Sequence, residues 1–181
     1  MEPTSGTKPA GGFMENSIGG KTLSEYLKII KMPLLALIAM DIVGFLLGFL
    51  TYIPAIGFIF AMLNMVIGLV LFVITVVIAG YIGYTAVKKY SGDLLTSLAA
   101  GAIAGLLSGI VSAVLNVISA LAGLGMSPGI GQAVFMGTAL VGLILSPVFG
   151  AVVGGILATI GGAVAGARTF GSPAPQPAAK N

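Results

Sequence analysis

Residues 150–166 read GAVVGGILATIGGAVAG, a stretch that is stable in few surroundings. Gly150, Gly154, Ala158, Gly162 and Gly166 recur at every fourth position, so on an α-helix they share one slowly winding face with almost no side chains. In water each glycine costs such a helix about 1 kcal/mol relative to alanine. In lipid an unpaired backbone costs more, and the helix is kept. The bare face then admits a second backbone at close range, the small-xxx-small mode of membrane helix association. A second face of this kind lies upstream, where Gly101, Gly105, Gly109 and Ala113 repeat at the same spacing with Ala104, Ser108 and Ser112 beside them.

Composition agrees with a lipid environment. Hydrophobic residues make up 57% of the chain and charged residues 7%, where a soluble domain has about a quarter of its residues charged. The 181 residues leave room for one membrane domain and no separate soluble one. Cysteine and histidine are absent, which removes thiol chemistry, disulfides and the commonest zinc ligands, and leaves five carboxylates for acid–base work. The eight cations are too scattered for a nucleic-acid stripe. No nucleic-acid partner, cofactor or metal is expected.

Residues 1–20 are polar and rich in Gly, Pro, Ser and Thr, and read as a disordered tail. No signal peptide is expected, because the first long apolar run begins only at Pro33. Thr22-Leu-Ser-Glu25 fits a capping box at a helix start. Within residues 21–32, Leu23, Tyr26, Leu27 and Ile30 share one face while Lys21, Lys28 and Lys31 stay polar. That pattern predicts a short amphipathic helix lying in the headgroup region. Apolar runs follow at 33–52, 57–87, 94–122 and 132–167, within a membrane domain spanning 33–168. Residues 169–181 carry Pro173, Pro175 and Pro177 and read as an extended, disordered tail.

The last run is the ambiguous one. About 36 residues make a helix of about 54 Å against an apolar core of about 30 Å, and Pro147 falls inside it. Charge placement favours a single helix kinked at Pro147. With four spans, Lys8, Lys21, Lys28, Lys31, Lys88, Lys89, Arg168 and Lys180 share one side and the opposite loops carry no charge. By the positive-inside rule that side is the cytoplasm, with both termini inside and the chain in the cell membrane. The expected fold is therefore all-α: four transmembrane helices in a glycine-zipper bundle, preceded by the interfacial helix. The outer turns Pro54-Ala-Ile-Gly57 and Pro128-Gly-Ile-Gly131 look alike, and at the same offset Met62 meets Met136 and Gly68 meets Gly142. A parallel duplication of two hairpins would produce such matches, and so would chance in apolar sequence.

Asp41 stands near the middle of the first span, followed by Gly44 and Gly48. A carboxylate there costs about 3 kcal/mol on insertion scales, so it must face the bundle or water, find a partner, or hold a proton. Asn64 and Asn116 lie at matching depths near the outer ends of their helices and are candidates for the same proton or ion site. The plainer role for all three is hydrogen bonding between helices. Lys28, Lys31, Lys88, Lys89 and Arg168 read as topology determinants at headgroup level; Lys88 and Lys89 alone fall short of the four to eight cations of a recognisable lipid cluster. The glycine-rich stretches lack the strand before them and the Lys-Ser/Thr after them that a phosphate-cradling loop needs.

A carboxylate in a glycine-zipper protein resembles the proteolipid ring subunit of rotary ATPases. That family is a two-helix hairpin with its acid on the second helix, whereas Asp41 is on the first span and the zippers lie elsewhere. Over residues 33–167 the chain is similar to small, glycine-rich, four-helix membrane proteins of unknown function found in many prokaryotes. That resemblance implies the architecture and transfers no functional residue. The sequence is thus expected to encode a non-enzymatic, multi-pass scaffold or self-associating membrane component, whose partners are the lipid bilayer and a homo-oligomer or second membrane protein. The alternative is a small transporter or channel carrying a proton or cation through Asp41.

Overall fold

A computed structural model describes residues 18, 21–51, 53, 56–122 and 130–166, with side chains left undescribed at 61 and 130–136. Four helices follow in order: α1 (Leu23–Leu50), α2 (Gly57–Lys88), α3 (Leu94–Leu121) and α4 (Ile130–Val164). Each is long and apolar enough to cross a membrane. Residues 1–17, 19–20, 123–129 and 167–181, Arg168 among them, lie outside the described residues.

α1 starts at the capping box, where the Thr22 N–H donates to the Glu25 carboxylate at 2.7 Å. From there the helix runs unbroken through Pro33 to Leu50. Residues 21–32 therefore form no separate element, contrary to the expectation of a distinct surface helix ending at Pro33. The physical reason is burial. Tyr26, Ile29, Ile30, Pro33 and Leu37 make one continuous stripe at helical spacing, and Tyr26 and Ile30 are 1% and 0% exposed against the other helices. The Tyr26 hydroxyl, buried with its ring, donates to the Ile18 carbonyl at 2.7 Å and ties the preceding segment to this end.

α3 starts at Asp93, whose carboxylate accepts from the Thr96 N–H and the Thr96 hydroxyl, both at 2.8 Å. This is a helix N-cap. Gly92 permits the tight entry, since a Cβ there would lie 2.7 Å from Thr96 Cγ2 and 2.9 Å from the Ala86 carbonyl. Asp93→Ala is expected to cost about 1 kcal/mol, read as a lower unfolding midpoint in detergent.

α4 is one helix with Pro147 inside it. α3 packs most extensively against α4; α2 touches all three others, and α1 touches α2 and α3. Among the described residues α1 and α4 do not meet. The helices thus form a diamond, with α2 and α3 across its short diagonal.

The core is built from small side chains. Ala79, Ala86, Ala99, Ala100, Ala104 and Ala158 are all buried, while Phe58, Met65 and Phe72 face outward, Met65 being 83% exposed. That inversion is what packing in lipid selects, because lipid solvates a large apolar side chain as well as a protein core does. Packing is also uneven along the bundle. At the end carrying Lys28, Lys31, Lys88 and Lys89, the core joins Tyr26, Ile29 and Ile30 to Ile82, Ala86, Ala99 and Ala100. In the opposite half Ala113 and Ala120 of α3 are buried as well, while among the described residues Gly48, Gly68, Gly137 and Gly142 have no neighbour within 4 Å of a would-be Cβ.

Candidate functional site

The site is organised around the contact between α3 and α4. A Cβ on Gly105 would overlap the carbonyl of Gly150, and one on Gly101 would overlap that of Gly154. On Gly109 it would lie 2.6 Å from the Ser146 carbonyl and 2.7 Å from Pro147 Cα. From the other side, a Cβ on Gly154 would lie 2.6 Å from the Gly101 carbonyl. The two antiparallel helices therefore meet backbone to backbone over several turns. Near the lysine-bearing end, a Cβ on Gly162 would lie 2.8 Å from the Ser97 Cβ.

Gly166 has a different part. It lies just past α4 with φ +79 and, among the described residues, nothing within 4 Å of a would-be Cβ. Its N–H donates to the Ala163 carbonyl at 2.9 Å, so it ends the helix in the left-handed conformation glycine allows and does not extend the packed face.

α4 has a second close neighbour that the four-residue periodicity does not reveal. A Cβ on Gly83 of α2 would overlap the Ala158 carbonyl, and one on Gly161 would overlap the Gly80 carbonyl. The signal is in the doubled glycines: Gly154-Gly155 and Gly161-Gly162 leave α4 bare on two adjacent faces, and Gly80 and Gly83 are spaced to receive one of them.

Asp41 is held from α3. The Ser108 hydroxyl donates to Asp41 Oδ2 at 2.6 Å. Both residues are partly buried, and Ser108 sits between Gly105 and Gly109, on the helix that α4 grips. Where α1 and α4 fail to meet, a cavity of about 290 Å³ remains, lined by Leu37, Thr75, Ser108, Ser112, Ser146 and Phe149 among others. Thr75 gives its hydroxyl to the Leu71 carbonyl of its own helix at 2.9 Å. Asp41 does not line the cavity; it stands one hydrogen bond behind Ser108. Among the described residues no lysine or arginine lines it.

The two asparagines are elsewhere. Asn64 is half-buried on α2 and Asn116 is exposed on α3. Neither lines the cavity. No known protein family, characterised protein or solved structure matches the chain.

Proposed function

We propose that the chain is a non-enzymatic integral membrane scaffold whose α3 and α4 close on each other as an intrachain glycine zipper. The observation that carries this reading is the direct backbone contact of Gly101, Gly105 and Gly109 with Gly154, Gly150 and Ser146. A seam with no side chains between its helices has little freedom to repack, which suits a rigid element of a membrane assembly. Because the two bare faces cover each other, a second copy or another membrane protein would dock on a different surface. The lysine-bearing end is assigned to the cytoplasm of the cell membrane, with both termini inside, on the positive-inside rule.

A second reading is favoured by one specific observation: the Asp41–Ser108 pair beside a cavity with three serines and a threonine in its wall. It makes the protein a small carrier of a proton or monovalent cation, with Asp41 as the group that binds it. Flux of protons and of monovalent cations into liposomes, measured for the wild type beside Asp41→Asn, separates the two. The scaffold predicts no flux above protein-free liposomes from either protein. Flux in the wild type that the substitution abolishes would replace the scaffold by the carrier.

A further inference from the structure

Lys28 on α1 and Lys89 at the end of α2 come from segments some sixty residues apart, yet they line the same cleft. That cleft, of about 120 Å³, is completed by Met32, Tyr81, Thr85 and Tyr90. Lys28 also lines a neighbouring groove of about 340 Å³ along α1, with Lys31 near it and Leu27, Leu34, Leu35 and Ile38 beyond. A cationic cleft and an apolar groove thus share one residue and lie side by side at the end of the bundle. Among the described residues no carboxylate lines either. Glu25, three residues before Lys28, gives its carboxylate to Thr22, and Asp93 caps α3.

We infer that this is a binding site for an anionic phospholipid, with its phosphate between Lys28 and Lys89 and an acyl chain along the Leu34–Ile38 side of α1. The folded chain gathers at one end the four cations, Lys28, Lys31, Lys88 and Lys89, that mark recognition of anionic lipid. No pair of them adjacent in sequence reaches that number. Tyr81 and Tyr90, both exposed at this end, are amphipathic rings of the type that settles at the headgroup level. The groove decides between a lipid and a free phosphate, because an inorganic anion has no use for Leu27, Leu34, Leu35 and Ile38.

The test is native mass spectrometry of the detergent-solubilised protein titrated with phosphatidylglycerol, phosphatidylcholine or inorganic phosphate. Phosphatidylglycerol is expected to bind about tenfold more tightly than phosphatidylcholine, and phosphate alone to leave no adduct. The pair Lys28→Gln and Lys89→Gln, both at exposed positions, is expected to remove most of that preference, and Lys28→Arg with Lys89→Arg to retain it. Equal binding of the two lipids, an unchanged preference in the glutamine pair, or a phosphate adduct as stable as the lipid adduct would each overturn the assignment.

Discussion

Replacing Gly105 by leucine is expected to leave little folded protein in the membrane fraction. Even the first carbon of the new side chain would overlap the Gly150 carbonyl. The obstacle is backbone, not a side-chain tip that can swing away, and Gly150 is itself pressed against Gly105 from the other side. Moving α4 outward would break the Gly101–Gly154 and Gly109–Ser146 contacts together, because all lie on one rigid helix pair. Overpacking a compliant core costs about 1 to 3 kcal/mol, and this site should exceed that range. Gly68→Leu and Gly142→Leu are the controls. Both are helical glycines with nothing among the described residues within 4 Å of a would-be Cβ, and replacing them should change stability by no more than about 0.5 kcal/mol. Yield and the unfolding midpoint in detergent read all three. Gly105→Leu folding as well as Gly68→Leu would refute the close approach.

The second large effect is expected at Ser108. Removing its hydroxyl in Ser108→Ala takes away the donor to Asp41 Oδ2 and leaves a partly buried carboxylate to find another. A loss of about 1 to 3 kcal/mol is expected, most of it the cost of the stranded acceptor. Asp41→Asn should cost less, since its amide oxygen can still accept from Ser108. In a cycle built instead with Asp41→Ala, which removes the acceptor altogether, the double variant should be more stable than the sum of the two losses predicts, with a coupling of no more than about 2 kcal/mol for a hydrogen bond between membrane helices. Strict additivity in a denaturation cycle would mean that the two side chains are not energetically joined.

These expectations show which parts of the molecule are local in sequence and which are not. The helices are local: long apolar runs, the capping box at Thr22 and the break around Lys89–Asp93 are each contained within a few turns. So are the bare faces of α3 and α4, because a four-residue glycine repeat is a property of one helix. Partner choice is not local. The four-residue spacing of Gly105 and Gly154 does not say whether they meet each other or another chain. The fit of Ser108 to Asp41 depends on where α1 crosses α3. Pro33 misled for the same reason, since a proline with basic residues before it reads as a boundary until Tyr26, Ile29 and Ile30 are seen buried against the other helices. Asn64 and Asn116 share a depth, but depth does not say which way a side chain faces: Asn116 is exposed, and neither asparagine lines the cavity. The Lys28–Lys89 cleft is wholly a product of the fold.

The absence of native cysteine allows a direct test of the intrachain seam. A Cβ on Gly155 would lie 3.5 Å from the Ala102 Cβ, within the span that a disulfide bridges. The Ala102→Cys, Gly155→Cys protein should therefore be oxidised in native membranes and examined on a non-reducing gel. A fast-migrating, reducible monomer is the expected product, because α3 and α4 of one chain lie against each other. A covalent dimer, or free thiols after oxidation, would contradict it.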